Sequence, residues 1–171
     1  WNPVRGFSGL PERVAVARVD MAELLRVDPS TLAFVVNASA GASVVYQSLM
    51  TDGPVDVLLT THGYGAVSMG AARLARRTGG RHHVVDIPLA AAATDVLAAL
   101  VQAMDEQRPT LLVVDQVTSA TARAFPIDEI CRAARERGIL TLVDGAHAPG
   151  VLADPVCREA DYWVGNLHKF V

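Results

Sequence analysis

The stretch TLLVVDQVTSATARAFPIDEICRAARERGILTLVD, residues 110–144, decides the fold. It opens on an apolar run ending in Asp115, crosses a hydroxyl-rich loop, and enters a segment from about 127 to 137 with Ile, Cys and Ala at helical spacing. Gly138 stops that segment, and a second apolar run ends in Asp144. Neither run alternates apolar with polar residues, so a strand made from it must be covered on both faces. Strand, helix and strand in that order, buried on both sides, read as a parallel β-α-β unit.

Working outward, the same alternation repeats. LAFVV (32–36), VDVLLT (55–60), HHVVDI (82–87) and DYWVGN (161–166) read as further strands, making six. Segments near 40–51, 65–78 and 93–107 carry Ala, Leu, Arg and Glu at helical spacing, with Gly79-Gly80 as a stop. An opening helix is expected from about Pro11 to Val27, followed by a turn at DPS, 28–30. The class is α/β, a mainly parallel sheet flanked by helices. No internal repeat, low-complexity tract or long linker interrupts it.

Composition narrows the function. The 171 residues suit one domain, 51% are hydrophobic, and the formal net charge of −3 gives no general attraction to polyanions, so nucleic acid is not an expected partner. No apolar run is long enough to span a bilayer, and the start WNPVRGFSGLPERV lacks signal-peptide order, so no membrane partner is expected. Cys131 and Cys157 form no CxxC pair, which points to a reducing cytoplasm. The five histidines, 62, 82, 83, 147 and 168, show no HxxxH spacing, and no metal is expected. No GxGxxG follows the first expected strand, which argues against a nicotinamide-binding domain. The sequence opens on Trp1 and stops two residues after Lys169, and is expected to be part of a longer polypeptide, incomplete at both ends.

In open α/β sheets, ligands bind beyond the carboxyl ends of the strands. After 32–36 comes NASAGAS, where Ala38, Ser39 and Ala40 offer backbone N–H groups at a helix start, suited either to a phosphate or to an ordinary cap. After 55–60 comes THGYGAV, which sets Tyr64 between two glycines, to stack on a flat ligand or to pack over the sheet end. After 110–115 comes QVTSAT with Ser119, whose hydroxyl either reaches a ligand or closes a turn. After 139–143 comes DGAHAPG, with Asp144 and His147 three residues apart. Asn166, His168 and Lys169 follow the last strand. Taken singly, each has a bland structural explanation. Together they meet the needs of pyridoxal 5'-phosphate (PLP): an amine, an acid for the pyridine nitrogen, a ring stacker, a hydrogen bond near the phenolic oxygen and a phosphate cradle.

LVDGAHAPG followed by DYWVGNLHKF, with Asp144 25 positions before Lys169, resembles the class V aminotransferase family of fold-type I PLP enzymes, and the resemblance covers nearly the whole chain. It implies that Lys169 is the Schiff-base lysine and Asp144 the acid paired with the pyridinium. His147 stands where cysteine desulfurases have a Gln near the phenolic oxygen, and Tyr64 where they have a stacking His. Ser119 matches an Asn beside the cofactor, Ser39 a phosphate-binding Thr, and Asn166 and His168 polar neighbours of the phosphate. Tyr64, DGAHAPG and GNLHK together are nearer the isopenicillin N epimerase-like branch than the desulfurases. The resemblance further implies an amino-acid substrate handled at its α carbon, with epimerisation expected first and carbon–sulfur lysis, desulfuration or transamination as alternatives. It implies a homodimer, and it makes residues 1–171 part of a PLP-binding large domain whose small C-terminal domain, usual source of the substrate-carboxylate Arg, lies outside the sequence. A noncatalytic α/β binding module is the competing reading from another class, and the presence of both Lys169 and Asp144 argues against it.

Overall fold

The computed structural model describes residues 9–50 and 53–171. Contacts divide the chain into a unit ending at Val35 and a larger one, Val36–Val171. The first contains helix α1, Leu10–Leu25, which has a proline in its first turn and closes on Arg26 in the left-handed conformation. A 3-10 turn, Pro29–Thr31, follows, started by Asp28, whose Oδ1 accepts the Ser30 N–H at 2.7 Å.

Residues 32–36 were expected to form the first strand, and the structure corrects this. Leu32 is extended, but the segment pairs with no strand among the described residues, and Val36 is 88% exposed. Valine and phenylalanine favour extended backbone, yet a strand also needs a neighbour to take up its N–H and C=O groups.

The larger unit holds the five strands that do pair: β1 Val57–Thr60, β2 His82–Val85, β3 Leu111–Asp115, β4 Leu140–Gly145 and β5 Tyr162–Gly165. Their order is β2-β1-β3-β4-β5, and every neighbouring pair is parallel. Helices α2 Ala38–Ser48, α3 Gly65–Thr78, α4 Ala93–Gln107 and α5 Ile127–Glu136 cover the faces. The expected helix positions hold, with ends shifted by a few residues at most.

The two faces follow from strand alternation. Val57, Leu59, Leu111, Val113 and Leu142 pack on one side against Tyr46 of α2 and Val67, Ala71 and Leu74 of α3. Leu58, Leu112, Val114 and Val143 pack on the other against Val96, Leu100 and Met104 of α4 and Ile130 of α5. Each large apolar side chain buried here stabilises the fold by roughly 1.5–3 kcal/mol. β3 is buried at all five positions, as its unbroken apolar run required. The edge strand β2 alternates exposed and half-buried residues instead.

The chain runs outward from β1 to β2, then returns past β1 to β3 and continues to β5. Right-handed crossovers taken in opposite directions place their helices on opposite faces, which accounts for α3 on one side and α4 and α5 on the other. The direction reverses between β1 and β3, and beyond the carboxyl ends there a crevice opens. Gly79, in the left-handed conformation at φ 76°, closes α3 and turns the chain into β2.

Candidate active site

The site lies within the larger unit, in a cavity of about 200 Å³ walled by the segments that follow β1, β3, β4 and β5 and by the start of α2. At its base, Asp115 and Asp144 are register partners at the ends of β3 and β4. Residues two apart on a strand share a face, so Asp115 follows Val113 and Asp144 follows Leu142 toward the α2 and α3 side. Both residues are 3% exposed.

Asp144 Oδ1 accepts the Ala146 N–H at 3.0 Å, and its other oxygen has no hydrogen-bond partner among the described residues. Burial raises the pKa of Asp144, opposed by the Ala146 N–H and by the positive charge of Lys169. Asp115 is pushed up to about 7, first by burial and then by the negative charge of Asp144, while the N–H groups of Tyr64 and Ser119 pull the other way. Behind the pair, Tyr46 donates its hydroxyl to Val67 O at 3.0 Å. Burial and the charges of Asp144 and Asp115 raise the pKa of that phenol as well. The base of the cavity therefore carries two buried carboxyl groups whose protons are held more tightly than usual.

Lys169 lines the same cavity. Its Nζ donates to His147 Nε2 at 2.8 Å, which leaves His147 Nδ1 to donate to Val117 O at the long distance of 3.4 Å. This assigns a neutral imidazole with its proton on Nδ1. The loop carrying His147 starts at Gly145, where any Cβ would run into the Trp163 indole; that indole donates Nε1–H to Gln116 Oε1 at 2.9 Å.

The start of α2 forms another wall. Asn37 caps the helix by accepting the Ala40 N–H at 2.9 Å, and Asn166 Oδ1 accepts the Ala38 N–H at 2.8 Å. Of the three backbone donors expected to face a phosphate, two are therefore committed within the protein, and Ala40 is not on the cavity wall. Ser39 lines the cavity, and neither its N–H nor its hydroxyl has a partner among the described residues. Asn166, 7% exposed, ties the end of β5 to the start of α2.

Tyr64 lines the cavity as the residue preceding the first turn of α3, and is 45% exposed. Ser119 and His168 line it too. The Ser119 loop is held by its own turn: Thr118 N–H donates to Arg123 O at 2.9 Å, and Val117 and Ala124 form an isolated bridge. His62 ties loops together through Thr121 Oγ1 at 3.2 Å and Ile87 O at 2.8 Å.

The structure thus gathers Ala38, Ser39, Tyr64, Ser119, Asp144, His147, Asn166, His168 and Lys169 around one cavity. Asp115 and Asn37 were missed. The signal for Asp115 was present, because TLLVVD and ILTLVD are both apolar runs ending in Asp, and the two ends pair in register.

A parallel sheet with a lysine beyond β5 and a buried carboxyl group near the end of β4 is the arrangement expected of a fold-type I PLP enzyme. The cystine C–S lyase C-DES, solved in complex with its product cysteine persulfide, superposes with a TM-score of 0.81 at 22% identity, covering 95% of this chain and 44% of that one. The profile of the Aminotransferase class-V family matches residues 8–169, and the chain belongs to that family. It is 35% identical over 164 residues to an isopenicillin N epimerase of Streptomyces clavuligerus, covering 95% of this chain and 41% of the relative. It is 28% identical to an L-cysteine desulfhydrase-like protein of Epichloe uncinata, covering 91% and 36%. The chain spans less than half the length of these curated relatives.

The donor set fits the family's cofactor. An uncommitted oxygen on a buried carboxylate suits a pyridinium, the free Ser39 donors at a helix start suit a phosphate, and an amine at the cavity suits an aldehyde.

Proposed function

We propose that the protein acts at the α carbon of an amino-acid substrate as an isopenicillin N epimerase-like amino-acid epimerase. The observation that carries the reading is the buried Asp144 carboxylate in one cavity with the Lys169 amine, which is hydrogen-bonded to His147. Lys169 would hold the cofactor covalently, Asp144 would pair with its ring nitrogen, Tyr64 would lie against the ring, and Ser39 and His168 would meet the phosphate. Ser119 would stand beside the ring, and Asn166 would hold the start of α2 in place. When bound, PLP supplies a sink for the electron pair left at the α carbon by proton removal.

The remaining work belongs to side chains. Lys169 Nζ, when its amine is free, would serve as a base for the α proton. His147, neutral and accepting from Nζ at 2.8 Å, keeps that amine oriented and can relieve it of a proton. Asp144 stays ionised once a cation lies against it, because the pair is then mutually compensated.

A carbon–sulfur lyase is the second reading, favoured by the desulfhydrase-like relative and the lyase fold neighbour. Incubation with isopenicillin N and, separately, L-cysteine in deuterated water separates the two. The epimerase reading expects an inverted product carrying α deuterium and no sulfide. Sulfide release from cysteine without inversion of either compound would replace it with the lyase reading.

We further place the protein in a reducing cytoplasm as a homodimer. The lack of a CxxC pair in the sequence supports the first, Cys131 and Cys157 being free thiols with sulfurs 3.9 Å apart, and the resemblance to fold-type I enzymes supports the second. No helix among the described residues is long and apolar enough to cross a membrane.

A further inference from the structure

Asp144 has a task in this reading, while Asp115 has none. Yet Asp115 is equally buried, and continuing β3 with another valine would have cost far less than burying a carboxyl group. No Lys or Arg forms an ion pair with it among the described residues. Its contacts are with two loops of the cavity wall. Oδ1 accepts the Tyr64 N–H at 3.4 Å, and the Ser119 N–H faces the same carboxyl group.

The Tyr64 turn is held on either side, by Gly63 N–H to Thr60 O at 3.1 Å and by Ser68 N–H to Tyr64 O at 2.9 Å, but among the described residues the Tyr64 N–H itself has Asp115 as its one acceptor. Tyr64 sits between Gly63 and Gly65, and a Cβ added at Gly65 would meet nothing within 4 Å. Its backbone is extended, at φ −60° and ψ 129°, outside the helix that follows, so its N–H has no helical acceptor, and its side chain makes no capping bond. Nearly half of the residue is exposed, so packing holds it loosely. Asp115 Oδ1 is the acceptor that ties this N–H to the end of β3.

We propose that Asp115 is a positioning residue of the cofactor site, holding the Tyr64 turn against the end of β3 so that the Tyr64 ring stays over the cavity. The inference rests on the reading above, in which Tyr64 lies against the PLP ring. A carboxyl oxygen accepts an N–H whether or not the group carries a proton, so the tether survives across neutral pH. An amide oxygen serves equally well.

The test is PLP titration of the cofactor-stripped full-length protein, followed by absorbance, for wild type, Asp115→Ala, Asp115→Leu, Asp115→Asn, Tyr64→Ala and the Asp115→Ala/Tyr64→Ala double variant. Asp115→Ala and Asp115→Leu should each raise the PLP Kd about tenfold, equivalent to about 1.4 kcal/mol. Asp115→Asn should stay within about threefold of wild type on the same scale. The double variant should bind no worse than Tyr64→Ala alone, since Asp115 acts through that side chain. Asp115→Leu fills the site without an acceptor and keeps the test valid should the alanine variant unfold. Wild-type affinity in both Asp115→Ala and Asp115→Leu, full loss in Asp115→Asn, or additive losses in the double variant would overturn the inference while leaving the cofactor assignment intact. Wild-type affinity in Tyr64→Ala would remove the stacking reading and the inference together. Absence of PLP binding by the wild type would instead refute the parent assignment.

Discussion

Lys169 Nζ and His147 Nε2 stand 2.8 Å apart, joining the segment after β5 to the loop after β4 across the mouth of the cavity. The bond orients the lysine by an acceptor that is itself anchored at Val117 O. His147→Ala should lower turnover on the order of 100-fold, the range of a positioned acid–base group. His147→Gln keeps an acceptor and should lose less. Steady-state kinetics with the preferred substrate checks the order, and an alanine variant as active as wild type would remove His147 from the chemistry.

The buried carboxylate of Asp144 is expected to keep the cofactor ring protonated. Asp144→Asn retains the shape and the Ala146 contact and removes the charge. Turnover should fall by roughly 10²–10⁴, a range borrowed from acid–base groups, with a smaller change in bound PLP. Comparing kcat with PLP content per protomer tests this, and near-normal kcat would contradict it.

Asp115 gives a pH signature in the cofactor-free protein. Its folded pKa of about 7 lies above the ordinary carboxyl value, so the folded state binds the proton more tightly than the unfolded chain. The stability tied to that proton is full below about pH 4 and is lost as pH rises toward 7. Asparagine cannot titrate, so Asp115→Asn should gain stability relative to wild type between pH 5 and pH 8, by at most about 3 kcal/mol, since roughly two pKa units at about 1.4 kcal/mol each lie in that window. Urea unfolding of both proteins at the two pH values provides the comparison. A difference that is constant or shrinks with pH would contradict the assignment.

Asn166 bridges β5 and α2 through a buried bond to the Ala38 N–H. Asn166→Ala leaves that donor buried without its acceptor and should cost about 1–3 kcal/mol. Thermal unfolding reads the loss, and Asn166→Asp, which keeps an acceptor at the positive end of the helix, should recover most of it. An alanine variant as stable as wild type would show that the bond contributes little.

Much of this site was legible from the sequence because strand ends in an α/β sheet are punctuated by a change from apolar to polar residues. LVDGAHAPG and GNLHK declared themselves in that way. Residues 32–36 misled because β propensity is local, whereas pairing depends on a partner elsewhere in the chain. Ala38 and Ala40 were rightly placed at a helix start, but their N–H groups go to Asn166 and Asn37, one of them 128 residues away. Asp115 reads in the sequence as the ordinary polar end of an apolar strand, TLLVVD. Only the register of β3 with β4 brings it beside Asp144.

The central claim is that Lys169 carries the cofactor. Borohydride reduction of the full-length protein in the presence of PLP, followed by proteolysis and peptide mass mapping, tests it most directly. The account predicts one reduced pyridoxyl adduct, on the peptide containing Lys169, and its loss in Lys169→Ala. An adduct on any other lysine, or none on a wild-type protein saturated with PLP, would contradict it.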